Sequence, residues 1–128
     1  MSEVITDKLT GKTSAGDVTI TSEGGSATMQ LQQGLVKSWI QLNGTGTIAI
    51  LDSFNVSSIS DVDTGKYSIN YDSSMSNASY SVTSEDYNYG NGWCSSLATD
   101  SVITVRANNS FVRVDVAKVF VTVSGDLA

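Results

Sequence analysis

The sequence predicts an all-β fold: an antiparallel sandwich or small barrel of about seven to nine strands, preceded by an extended N-terminal arm. Three observations carry this. Apolar and polar residues alternate along several short segments, the pattern of strands with one buried face. Gly, Asn and Asp cluster between those segments while proline is absent, so the turns rest on residues that tolerate positive φ. Charged residues make up only 16% of the chain, below the usual quarter. Ser, Thr, Asn and Gly replace them, which suits a β-rich surface of hydroxyls and amides better than a charged helix bundle.

Residues 1–35 are expected to form the arm. Val4 and Ile5 precede a polar stretch, DKLTGKTSAGD. Residues 17–21 (DVTIT) read as one short strand with Val18 and Ile20 on its apolar side. Residues 27–33 (ATMQLQQ) alternate, with Met29 and Leu31 in phase. None of this can build a core alone, so these four apolar residues need partners. An ordered arm that intertwines or docks satisfies that need better than a frayed tail.

Residues 36–128 carry the pattern of the sandwich domain. In KSWIQLN, Trp39 and Gln41 face one way and Ile40 and Leu42 the other. Asn43-Gly44-Thr45-Gly46 supplies a turn. Ile48, Ile50, Phe54 and Val56 come next in one phase, interrupted by Asp52. After a turn over residues 61–66, Tyr67, Ile69 and Tyr71 alternate with Lys66, Ser68 and Asn70. Met75, Tyr80 and Val82 continue the meander. Residues 83–96 (TSEDYNYGNGWCSS) crowd aromatics, amides and glycines together and read as one exposed loop. Residues 101–107 (SVITVRA) form a strand, and Asn108-Asn109-Ser110 turns it. Residues 111–124 form the longest extended run, in which the inward phase slips by one residue near Ala117. A slip of one swaps the two faces. It predicts a bulge, or a strand that leaves the core and places Val119, Val121 and Val123 at a subunit interface.

Four of these stretches resemble a small β domain of fibre-type proteins from tailed bacteriophages and prophages. The matching residues are 39–45 (WIQLNGT), 53–61 (SFNVSSISD), 65–71 (GKYSINY) and 75–82 (MSNASYSV). The start, MSEVITDKL, is similar to the N-termini of short phage fibres. They are turn and core residues, so the resemblance implies a fold and a virion setting rather than a ligand. It implies a homotrimer, with the N-terminal segment docking onto other virion proteins or intertwining with two further copies.

Composition narrows the function. The formal net charge is −6, which argues against nucleic-acid binding, since that needs a basic footprint. No apolar run approaches membrane-spanning length, and the polar start lacks the apolar stretch of a secretion signal. There is one cysteine, Cys94, so stability is expected from packing and assembly rather than an intrachain disulfide.

Histidine is absent. This removes the usual general base and the commonest zinc ligand, and with them Ser-His-Asp and Cys-His catalysis. Paired carboxylates could in principle cleave a glycan. But Glu85 and Asp86 are adjacent and point apart if extended, and Asp61 and Asp63 sit in a turn. Asp61-x-Asp63-x-Gly65 resembles the start of a calcium loop, yet Lys66 and Asp72 stand where Gly and Glu are required. No catalytic residue, metal or cofactor is therefore assigned, and the chain is expected not to be an enzyme.

The best candidates for ligand contact are Tyr87, Asn88, Tyr89, Asn91 and Trp93. Aromatic rings stack on sugar faces, and amides donate and accept hydrogen bonds. The competing reading of Trp93 is a plug for the end of its own sandwich, with Cys94 as a small buried hydrophobe. The expected function is a structural virion protein, a short fibre or tip appendage adhering to host-surface carbohydrate. The alternatives are a capsid decoration or cement protein and, behind it, a glycan-cleaving enzyme.

Overall fold

The computed structural model describes residues 3–128, apart from the side chain of Asn91. Met1 and Ser2, the start of the expected arm, lie outside the described residues. The chain divides into two compact units, one ending at Leu35 and the other running from Val36 to Ala128. Among the described residues all regular structure is antiparallel β, apart from one turn of 3₁₀ helix.

In the first unit, β1 (Thr19–Thr21) pairs with β2 (Thr28–Gln30), bringing Ile20 opposite Met29. Gly25, at φ 72°, makes the reversal between them. The 3₁₀ turn Leu31–Gly34 comes directly after β2. Ile20 and Met29 remain 44% and 50% exposed, and together with Ala27 they form a shallow apolar depression. The hairpin is too short to cover its own apolar side.

The second unit has eight strands. They are β3 (Ser38–Asn43), β4 (Ala49–Phe54), β5 (Ser58–Asp63), β6 (Lys66–Asn70), β7 (Ser81–Asp86), β8 (Asn91–Leu97), β9 (Ser101–Ala107) and β10 (Val119–Ser124). They form two four-stranded sheets, ordered β4-β3-β10-β7 and β5-β6-β9-β8. The chain passes between sheets at β4–β5 along one edge and at β7–β8 along the other. The arrangement is sandwich-like, with one core shared by both inner faces: Ile40, Leu42, Val119, Val121 and Val123 from one sheet, Tyr67, Ile69 and Val102 from the other.

Alternation holds almost everywhere. Ser38, Ile40 and Leu42 point inward on β3, and Tyr67 and Ile69 do so on β6. It breaks on β4, where Gln41 pairs with Asp52 but Leu42 pairs with Ile50, leaving Leu51 as an extra residue. That bulge swaps the faces of the later β4 residues. Phe54, expected in phase with Ile50, is instead 52% exposed, and it stands opposite Trp39 on the outer side of the sheet.

Three further expectations are corrected. Val119, Val121 and Val123 are not an interface stripe: at 0%, 2% and 1% exposed they pack in the core of their own chain. The 111–124 run is not one strand. Residues 111–118 form a connecting segment, touching Ala107 through Arg113 and burying Val116, before β10 enters the sheet between β3 and β7. The phase slip near Ala117 marks this re-entry. Residues 83–96 are not one loop either, because strands β7 and β8 take all of it except residues 87–90.

The registers fix the two ends of this unit. One end gathers the connections 44–48, 64–65, 87–90 and 108–118. The other gathers 55–57, 71–80 and 98–100, together with residue 36, where the unit begins.

Candidate functional site

The hairpin between β7 and β8 is built on one buried carboxylate. Along β7, Val82, Ser84 and Asp86 face inward, and Asp86 is only 9% exposed. Its Oδ1 accepts the backbone N–H groups of Asn88 at 2.9 Å, Tyr89 at 2.6 Å and Gly90 at 3.2 Å. Three donors on one ionised oxygen define the turn, because each is a charge-assisted bond. Gly90, at φ 66°, completes the reversal.

Behind the hairpin lies Arg106, fully buried on the inner face of β9. Its Nη2 donates to Ser84 Oγ and, at 2.8 Å, to Thr104 Oγ1. The two hydroxyls also bond each other across the sheets at 2.5 Å. Arg106 Nε, Arg106 Nη1 and Asp86 Oδ2 have no hydrogen-bond partner among the described residues. Burial pulls the guanidinium pKa down, and the Asp86 charge opposes it first among several neighbours. Gly92 lies directly over Arg106: a Cβ at that position would sit inside the guanidinium.

The hairpin holds its aromatic residues outward. Tyr87 is 75% exposed, with Lys118 Nζ 5.6 Å from its ring centroid and its own N–H donated to Lys118 O at 3.2 Å. Such a cation–ring contact stabilises an exposed ring by about 0.5–1 kcal/mol. Tyr89 and Asn88 are exposed at the tip. Trp93 is 44% exposed on the outer face of β8, opposite Val105. It is therefore not a plug; the plug position is taken by Arg106. Cys94 faces inward beside the core, and burial raises its thiol pKa. The Asn91 side chain lies outside the described residues.

The candidates therefore share one end of the unit but not one face. Tyr87 leans toward β10, while Trp93 belongs to the opposite sheet. The nearby turn carries an aromatic that the sequence pattern did not single out: Phe111, 77% exposed at φ 59°, a conformation few bulky residues adopt. Nor did the pattern single out Asp86, Arg106 or Lys118 as parts of the site. Asp86 did have a signal, as an Asp directly before an Asn/Tyr/Gly stretch, which is turn chemistry. Nothing in the sequence marks Arg106 as buried.

Asp61 and Asp63 lie at the end of β5, beside the turn at residues 64–65, and both are exposed. Asp63 accepts the Thr64 N–H at 2.8 Å and pairs with Arg113 at 2.7 Å, and these contacts hold its pKa below the usual carboxylate value. Gly65 at φ 63° lies against the backbone of Arg106 and Val114, where a Cβ would collide with both. Asp115 Oδ1 accepts the Gly65 N–H and the Tyr67 hydroxyl. Among the described residues no group of three or more acidic, Cys or His side chains is placed to hold a metal.

No family model, curated protein or solved structure matches this chain.

Proposed function

We infer that this chain is a structural appendage of a tailed-bacteriophage particle, anchored through residues 1–35 and adhering to surface carbohydrate through the 86–93 hairpin. One observation supports this reading above the others, the polarity of the second unit. Its chain enters at residue 36, and the hairpin with exposed Tyr87 and Tyr89 sits at the opposite end. A tether at one end and a rigidly braced aromatic hairpin at the other is the layout an adhesive tip needs. Tyr and Trp give contact area at low entropic cost.

The family resemblance favours three copies about one axis. The core occupies the valine stripe of β10, so assembly falls to the arm, where Ile20 and Met29 are half exposed. Three weak carbohydrate contacts then gain by avidity.

The test replaces Tyr87, Tyr89 and Trp93 together with Ala. Attachment of the purified protein to bacterial cells should fall, while the melting temperature changes little because all three side chains are substantially exposed. Unchanged attachment at unchanged stability would remove the hairpin from the account and favour the capsid-cement reading.

A further inference from the structure

The outer face of the β4-β3-β10-β7 sheet is assembled by register into an aromatic track. Trp39 stands directly opposite Phe54, and Thr122 and Thr83 continue that row. In the adjacent row Asp52, Gln41, Phe120 and Glu85 succeed one another across the four strands. Phe120 is thus diagonal to Trp39, within reach of a large side chain. Trp39, Phe54 and Phe120 are 38%, 52% and 38% exposed. Outward residues of β7 lead from Thr83 through Glu85 to Tyr87, so the track runs up to the hairpin.

Its polar groups narrow the occupant. The ionisable side chains in these two rows are Asp52 and Glu85, and neither row holds a cation. A second copy docked face to face over these rows would set two carboxylates against two more, with Lys118 at the Tyr87 end as the cation beside the track. An anionic polymer lying along these rows would meet Asp52 and Glu85. Aromatic rings flanked by carboxylates, an amide and threonine hydroxyls match a ligand with apolar ring faces and many hydroxyl donors.

We propose that this sheet face is an extended binding surface for a neutral, hydroxyl-rich oligosaccharide, running from Tyr87 over Phe120 and Trp39 to Phe54. It rests on the adhesive reading above and gives that adhesion a track far longer than the hairpin. Ring faces stack on Trp39 and Phe120, while Asp52, Gln41 and Glu85 take up hydroxyls between them.

The test titrates the full-length protein with cellohexaose, maltohexaose and chitohexaose, and with a hyaluronan hexasaccharide as the anionic counterpart, monitored by amide chemical shifts. At least one neutral hexasaccharide should shift β3, β10 and β7 together, and the anionic one should not. Trp39→Ala should weaken binding about tenfold, as loss of one stacked ring predicts. Phe120→Ser serves as the second variant, and melting curves check that both are folded. Three results would overturn the proposal. One is that no neutral hexasaccharide binds. Another is binding that survives Trp39→Ala and Phe120→Ser but is lost on replacing Tyr89 and Trp93, which would leave the hairpin reading standing alone. The third is dissociation of an oligomer by Trp39→Ala with saccharide binding intact, which would make the face a contact between copies.

Discussion

Arg106 carries a full charge into the interior and satisfies only part of it. Its Nη2 holds Ser84 and Thr104, while Nε and Nη1 have no partner among the described residues. Orphaned buried donors are expensive, so the surrounding packing must hold the side chain in place. Gly92 is the key neighbour, since only a residue without Cβ leaves room for the guanidinium. Gly92→Ala should therefore destabilise the protein by about 1–3 kcal/mol, the usual cost of overpacking, measured by urea denaturation. The penalty should shrink in an Arg106→Met background, because the flexible thioether can withdraw from the new methyl group. Equal penalties in both backgrounds would show that Gly92 acts through its backbone instead.

At the scale of the element, the 87–90 turn depends on Asp86 more than on its own residues. Asp86→Ala removes the acceptor of three backbone N–H groups and the leading opposing charge to Arg106. The expected loss is about 1–3 kcal/mol. Amide exchange at Asn88, Tyr89 and Gly90 should accelerate well beyond that of β9. Asp86→Asn keeps an oxygen acceptor and should lose less. Strand β4 makes a similar point about a single inserted residue. Leu51 resets the phase, and Phe54 moves from the expected core to the outer face beside Trp39.

Across the whole molecule, tyrosine burial sets the response to alkali. Tyr67 and Tyr71 are 0% and 6% exposed, and Tyr80 bonds Tyr71 at 3.3 Å in an edge-on pair. Burial raises all three pKa values above 10.0 in the folded chain. A raised folded pKa means that the folded state holds its protons more tightly than the unfolded state. The associated stability is present in full below pH 10.0, the ordinary tyrosine value, and is lost as pH rises through the folded values. Urea midpoints should thus fall above that pH, with tyrosinate absorbance appearing as the chain unfolds. Tyr71→Phe should flatten the decline.

Size gives a second whole-molecule prediction. All residues of the buried core lie between Ile40 and Val123. Removing residues 1–35 should leave a cooperatively unfolding monomer, whereas light scattering on the full chain should give about three times 13.5 kDa. A monomeric full chain would end the trimer reading. An insoluble fragment would show that the arm contributes to folding.

Local pattern was enough to read the all-β class, most strand phases and the main turns. Ile40, Leu42, Tyr67 and Ile69 were legible as inward because a half-buried strand must alternate. Asn43 and Gly65 were legible as turn residues, since Asn43 ties its own turn through its side chain to Thr45 and Gly65 adopts positive φ. The aromatic hairpin was visible as composition, but its extent was not: polar Thr83, Glu85 and Ser95 look the same in a loop as on an edge strand. Which sheet each strand joins was legible only in the folded chain. That choice sent Val119, Val121 and Val123 into the chain's own core, put Trp93 on the sheet opposite the β7 strand that leads to Tyr87, and set Arg106 beneath Gly92. Periodicity reports which residues share a face, whereas the cover over that face depends on contacts between residues far apart in the chain.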